Sequence, residues 1–190
     1  NGGSDDATGY GVPGVYGTLG VPAAANYPGS RHQSASWRDA DGNFWLFGGY
    51  GKAESGDGGQ LNDVWKLDVA AGQWAWMGGT KVTPPSTSGG AAGSPGVYGT
   101  LGAAAATNIP GGREQMSTWL DASGALWVFG GAGIDVNGVT GELNDLWKYA
   151  DGQWTWMGGS QTVGAGIIFG GPNGVYGTKG VADPANVPGG

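Results

Sequence analysis

Two residue types that could contact a ligand recur at matching places along the chain. Tyr16, Tyr98 and Tyr176 each stand in a Val-Tyr-Gly-Thr stretch, and Arg31 and Arg113 each follow a Pro-Gly motif. A tyrosine ring can stack on a sugar or on a partner protein, and an arginine can bind an anionic group. Recurrence in every copy equally fits structural roles, namely tyrosines that pack and arginines that satisfy carbonyls or an aspartate. These five residues are the candidate binding residues, with structural packing as the alternative.

A cluster of oxygen-bearing side chains raises the question of calcium. Asp39, Asp41 and Asn43 have the alternating spacing of an oxygen-ligand loop. The matching stretch Asp121-Ala-Ser-Gly-Ala125 keeps only one of the three side-chain ligands at those positions. A polar turn between two strands, rather than a metal site, is therefore predicted at both places.

The remaining reactive groups do not form a catalytic pattern. Asp63 and Asp145 have no second carboxylate at an acid–base spacing and are interpreted as residues that form Asx turns. The chain has no cysteine, and His32 is its one histidine, so thiol nucleophiles, disulfides and zinc–thiolate sites are excluded from this sequence. We predict no catalytic residue, no metal site and no cofactor, and thus a protein that is not an enzyme.

Charge and hydropathy exclude further classes of partner. The formal net charge is −7 with only 12% charged residues and no basic run, which predicts no nucleic-acid partner. No apolar run reaches the roughly 18 residues that suggest a membrane span. Residues 1–12 lack the charged and apolar segments of a signal peptide.

The elements that must position the candidate residues belong to an internal repeat. The stretch Pro13–Gly20 returns as Pro95–Gly102 and opens again at Asn173. Three further motifs follow each of the first two openings: Trp-Leu/Val-Phe-Gly-Gly, Leu-Asn-Asp-Val/Leu-Trp-Lys and Gly-Gln-Trp-Ala/Thr-Trp-Met-Gly-Gly. Such self-similarity is the signature of a repeat architecture.

Each repeat is predicted to contain four short strands. Period-two spacing places alternate tryptophans on one face, and Gly-Gly pairs and Asp/Gly turns separate the segments. The predicted strands are 31–39, 43–48, 63–68 and 73–77, and then 113–121, 125–130, 145–150 and 153–157. No helix longer than one turn is expected, and the stretches after each Gly-Gly pair are predicted to be variable loops.

The composition supports folding in spite of its bias. Gly 44 and Pro 10 among 190 residues reach the level at which disorder is a serious alternative. Ten tryptophans oppose it, because each can bury on the order of 150–250 Å². A folded all-β chain with glycine-rich turns is the prediction.

The ordered set Arg31, Gly48-Gly49, Asn62-Asp63-Val-Trp65 and Trp74 resembles a kelch repeat, and the set from Arg113 to Trp154 resembles a second. The likeness is to the bacterial form that carries Pro-Gly-Val-Tyr-Gly-Thr before each blade, and it implies a β-propeller of four-stranded antiparallel blades. Galactose-oxidase-like members hold copper beside a Tyr–Cys cross-link. The lack of cysteine excludes that site within this chain.

The repeats divide the chain into a glycine-rich lead-in (1–12), repeat 1 (13–94), repeat 2 (95–172) and the start of repeat 3 (173–190). Two blades cannot close a ring of four to eight, and the motif order predicts an Arg directly after Gly190. The expectation is an incomplete ring, completed by a longer chain or by a homo-oligomer that covers the outer faces.

The leading functional hypothesis is a non-enzymatic extracellular or cell-surface module that binds protein or glycan through its loops. The location rests on resemblance to secreted bacterial kelch proteins. A structural subunit of an extracellular assembly or filament, made of further copies of the chain, is the first alternative. A non-catalytic part of a larger carbohydrate-active enzyme is the second.

Overall fold

The structure is a computed structural model that describes residues 11–164 and 170–190, so most of the lead-in 1–12 lies outside it. The strands of the first repeat are β1 (Arg31–His32), β2 (Ala35–Arg38), β3 (Phe44–Phe47), β4 (Tyr50–Lys52), β5 (Gly58–Gln60), β6 (Val64–Asp68) and β7 (Gln73–Gly78). Those of the second repeat are β8 (Arg113–Glu114), β9 (Ser117–Leu120), β10 (Leu126–Ile134), β11 (Thr140–Ala150) and β12 (Gln153–Gly158). The described part of the chain is all-β and contains no α-helix long and apolar enough to cross a membrane.

The strands form antiparallel sheets with the same layout in both repeats. The first-repeat sheet has the order β2-β3-β6-β7, and the small sheet beside it has the order β1-β4-β5. The second-repeat sheet joins the equivalent parts, because β10 pairs with β9 through its first half and with β8 through its second. The long strand β10 thus corresponds to β3 and β4 of the first repeat, and the long strand β11 corresponds to β5 and β6.

The first predicted strand of each repeat is interrupted in the structure. The stretches 31–39 and 113–121 each divide into a two-residue strand and a four-residue strand. Gln33 and Gln115, at the breaks, have φ values of 54° and 57°, a left-handed backbone that cannot continue a strand. The loop after Gly49 is also more ordered than predicted, since β4 and β5 form a hairpin there.

The Gly-Gly pairs explain why the strands turn at that point. Gly48 and Gly49 have φ values of 64° and 92°, and Gly130 and Gly131 have 60° and 95°. A Cβ on Gly49 would collide with the carbonyl oxygen of His32. Glycine is therefore required both by conformation and by space.

The core lies between the two repeats. Phe47 of the first-repeat sheet packs on Trp154 of the second, with ring centroids 4.8 Å apart. Tyr149 meets Trp45 and Trp37 at 5.9 and 6.4 Å. Edge contacts of this kind add to the burial of apolar area, so the two sheets form one continuous hydrophobic core.

Candidate functional site

Three side chains of the first repeat contact the carboxylate of Asp63: those of Tyr16, Arg31 and Trp65. We call these four residues the first Asp cluster. Arg31 begins β1 and donates to Asp63 Oδ1 and Oδ2 at 2.6 and 2.8 Å. The Tyr16 hydroxyl and the Trp65 indole donate to Oδ2 at 2.6 and 2.7 Å. The carboxylate at the entry to β6 thus accepts four hydrogen bonds.

The second repeat builds the same arrangement, the second Asp cluster, from Tyr98, Arg113, Asp145 and Trp147. Arg113 donates to Asp145 at 2.6 and 2.8 Å, and the Tyr98 hydroxyl and the Trp147 indole donate at 2.7 Å each. Asp145 and Trp147 are both fully buried, as are Asp63 and Trp65. Trp65 and Trp147 thus occupy equivalent buried positions in the two repeats.

Burial and charge act in opposite directions on these groups. Burial alone would raise the pKa of the Asp63 carboxyl, but the Arg31 charge and the four hydrogen bonds outweigh it and hold the pKa below its usual range. The pKa of Asp145 is lowered for the same reasons. Burial, reinforced by the adjacent carboxylate, raises the pKa of Tyr16 and of Tyr98. Each cluster is therefore an ion pair with a neutral phenol as donor.

The structure brings four of the five candidate binding residues into these clusters. Tyr16 and Arg113 are 0% exposed and Tyr98 is 3% exposed, while the Arg31 side chain is 5% exposed. This placement favours the packing interpretation, and ligand binding by these residues stays a prediction.

The interpretation of Asp63 and Asp145 as Asx-turn residues is wrong. Their carboxylates bind Arg and Tyr side chains from distant parts of the repeat and the indole of the Trp two residues further along. One feature of the sequence could have indicated that each Asp pairs with the Arg and the Tyr of its own repeat. Arg and Asp are separated by 32 residues in both copies, and Tyr and Asp by 47.

The predicted polar turn at Asp39 is confirmed. Its Oδ1 accepts the backbone N–H of Asn43 at 2.8 Å, and its Oδ2 accepts the Trp45 indole N–H at 2.8 Å. Asp121 likewise accepts the backbone N–H of Ala125 at 3.1 Å and the Trp127 indole at 2.9 Å. These carboxylates fix the hairpin that joins β2 to β3 and β9 to β10.

Tyr176, the fifth candidate, has a different environment. Its side chain is 81% exposed. The segment that carries it, residues 170–190, lies against the second repeat, where the Asn144 amide donates to the Pro188 carbonyl at 2.7 Å. Asn62 makes the same contact with Pro110 one repeat earlier, at 3.2 Å. The segment is thus docked like its predecessor, yet its tyrosine is not buried.

An exposed apolar surface of the second-repeat sheet lies beside this segment. Trp119 stacks on Trp127 with centroids 6.0 Å apart and an interplanar angle of 7°. Trp119 is 46% exposed. A groove of about 370 Å³ runs from Trp119 past Phe129 to Asp183. We call Trp119, Trp127 and Phe129, which lie on one side of the sheet, the open face.

Comparison with known proteins adds little to this description. No protein-family model matches the chain, and no curated protein matches it. A solved structure titled "Structure of YjhT" is similar, with a TM-score of 0.45 and 20% identity, over 72% of this chain and 40% of that one. The chain thus spans less than half of that protein's length.

Proposed function

We propose that the two repeats are propeller blades of the kelch type, and that the chain is a non-enzymatic module that binds protein through the open face. The observation that carries the proposal is the contrast between equivalent surfaces. Trp37, Trp45 and Phe47 in the first repeat are covered by the second-repeat sheet. No sheet within residues 11–164 and 170–190 covers Trp119, Trp127 and Phe129 in the same way.

Exposed apolar patches rimmed by polar groups mark sites of interaction. The open face has this composition, since stacked indoles lie next to Asn144 and Asp183 at the groove. Tryptophan is also enriched among the residues that contribute most to protein interfaces. By contrast, the Asp clusters use their carboxylates within the chain, which supports a structural role for them.

An extracellular or cell-surface location is part of the same proposal. It is supported by the acidic, tryptophan-rich composition and by the resemblance to secreted kelch proteins.

Self-association offers a direct test, because the open faces of two copies are both apolar and can pair with each other at high concentration. Sedimentation velocity of residues 1–190 is expected to show reversible association from the micromolar to the millimolar range. Trp119→Asp should abolish it. Leu101→Asp, at a loop position that is 56% exposed, is the matched control and should leave association unchanged. A monomer throughout this range would contradict the proposal.

A glycan is the second candidate for the open face. The exposed indole of Trp119 and the side chain of Asp183 line the same groove, which therefore offers an apolar ring and a polar acceptor to a sugar. Titration calorimetry with neutral oligosaccharides separates the two candidates. Heat that depends on Trp119, in a chain that does not self-associate, would favour the glycan.

A further inference from the structure

The segment that carries Tyr176 adopts a conformation that occurs twice more in the chain. Val175 and Val187 exchange backbone hydrogen bonds of 2.7 and 2.9 Å, as Val15 does with Tyr27. The Asn186 amide donates to the Val181 carbonyl at 3.1 Å, as Asn26 donates to Val21 at 3.0 Å. The third loop therefore has the same internal hydrogen bonds as the first two, although no further sheet lies against it among the described residues.

The first two loops use this conformation to bind a sheet. In the first, Gly20 and Ala23 donate backbone N–H groups to the carbonyls of Trp76 and Trp74, at 2.7 and 3.2 Å. The Asn26 amide also reaches the Trp74 carbonyl, at 3.1 Å. The second loop makes the same bonds to Trp156 and Trp154.

The third loop has none of these partners among the described residues. The equivalent donors in the third loop are the backbone N–H groups of Gly180 and Asp183 and the second hydrogen of the Asn186 amide. Tyr176 corresponds to Tyr16 and Tyr98, whose hydroxyls donate to Asp63 and Asp145. The unused donors all lie on the loop that borders the open face, because Asp183 and Asn186 line the same groove as Trp119 and Phe129.

The open face, like the third loop, lacks the neighbouring sheet that its equivalent in the first repeat contacts. Phe47 is 0% exposed because Trp154 covers it. Phe129, its equivalent, remains partly exposed. One sheet placed over the open face, as the second-repeat sheet lies over the first, would satisfy both the loop and the face.

We infer that Tyr176 and the open face form a docking site for a further four-stranded sheet of this chain's own type. Its buried Asp, paired with Arg and Trp, accepts the Tyr176 hydroxyl, and its fourth strand offers two carbonyls to residues 180–183. This inference rests on the proposed function, because it specifies what the open face binds.

The requirement is restrictive, since it excludes an intact second copy in the same pose. Both complete clusters already hold a tyrosine from their own repeat, at 2.6 and 2.7 Å from the carboxylate. The occupant must therefore present the Arg–Asp–Trp group with the tyrosine position vacant. Residues 31–79 of this chain, without residues 13–30, are such a sheet.

The test appends this sheet to the full chain. Residues 1–190 are followed directly by Arg31–Gly79 of a second copy, because Gly190 corresponds to Gly112, which precedes Arg113. Nitration by tetranitromethane, located by mass spectrometry, then reports the exposure of Tyr176. We expect its nitration to fall roughly tenfold or more in the fusion, since a docked tyrosine opens to solvent only through local unfolding.

The matched control appends Asn1–Gly79, which brings its own Tyr16 to the cluster. Tyr176 should then be nitrated as readily as in the unfused chain. Equal protection in both fusions, or protection in neither, would overturn the inference. So would rapid proteolysis of the appended Arg31–Gly79, because the docking site is inferred to stabilise that sheet. Association of the unfused chain is measured separately and tests the proposed function alone.

Discussion

The two repeats contain the same Asp cluster in different surroundings. The four hydrogen bonds to Asp63 and to Asp145 agree within 0.1 Å. The aromatic side chains near the two clusters are covered to different extents. Trp154 packs against the first-repeat sheet and is 3% exposed, whereas its equivalent Trp74 is only partly buried. Each repeat thus determines its own cluster, while burial of its aromatic faces depends on the adjoining sheet.

The largest expected effect comes from removal of a cluster carboxylate. Asp145→Ala leaves the Arg113 guanidinium, whose side chain is 0% exposed, buried without its counter-ion, and loss of one partner of a buried pair typically costs about 3–5 kcal/mol. Asp63→Ala should cost less, because the Arg31 side chain retains 5% exposure. Urea unfolding followed by tryptophan fluorescence measures both values.

The matched control replaces the whole ion pair. Arg113→Met combined with Asp145→Leu should be much less destabilising than Asp145→Ala alone, because no charge remains buried. If the double variant were as unstable as the single one, packing rather than charge would explain the loss. Equal costs for Asp63→Ala and Asp145→Ala would show that the difference in exposure between Arg31 and Arg113 does not affect the stability of the clusters.

A pair of tyrosines in the second repeat gives effects of opposite sign. Tyr98→Phe removes a hydrogen bond to a charged carboxylate and should cost about 1.5–3 kcal/mol. The Tyr149 hydroxyl is buried and has no hydrogen-bond partner among the described residues. Burial raises the pKa of Tyr149 to about 12. Tyr149→Phe should therefore be neutral or stabilise by up to about 1 kcal/mol, because it removes an unsatisfied polar group.

Thermal and urea unfolding of the two phenylalanine variants decide this comparison. Tyr16→Phe serves as the control in the first repeat and should behave like Tyr98→Phe. A clear loss of stability in Tyr149→Phe would indicate that its hydroxyl has a partner, such as an ordered water between the sheets.

The strands were predictable because their cause is local. Alternating tryptophans and Gly-Gly pairs fix β3, β6, β7 and their equivalents, and the aspartate turns follow from side-chain to backbone bonds within a few residues. The break at Gln33 was not predictable, since only the backbone geometry of the fold places a non-glycine residue in the left-handed region.

The site needed information beyond local pattern. The Arg31–Asp63 pair joins residues that no helix or strand periodicity relates, and only the equal spacing in two copies hints at it. The contact of Tyr149 with Trp45 depends on how the two sheets pack. The first repeat has Leu67 at the place of Tyr149, so the repeat alone predicts no aromatic residue there.

The smallest effect should come from the partly exposed turn carboxylates, Asp39 and Asp121. Burial acts to raise the pKa of Asp39, but hydrogen bonds from Trp45 and Asn43 and the charge of Lys66 lower it to about 2. The pKa of Asp121 is lowered mainly by hydrogen bonds from Ser123 and Trp127. A folded-state pKa below the unfolded value of about 3.9 means that the stabilisation is present above that value and is lost as the pH falls through the folded pKa.

Asp39→Ala should accordingly cost less than about 1 kcal/mol at neutral pH, as expected for charge interactions near the protein surface. The cost should decrease as the pH falls towards about 2, where half of the wild-type carboxyl groups are protonated. Carboxyl ¹³C chemical shifts of the folded protein, followed by NMR through an acid titration, measure both groups at once. Asp121 should remain ionised to lower pH than Asp39, because its turn adds the Ser123 hydroxyl at 2.5 Å to the donors on Oδ1. If Asp39 titrated at the ordinary aspartate value while Asp121 did not, the two turns would differ in solution, and the equivalence of the repeats would end at their buried clusters.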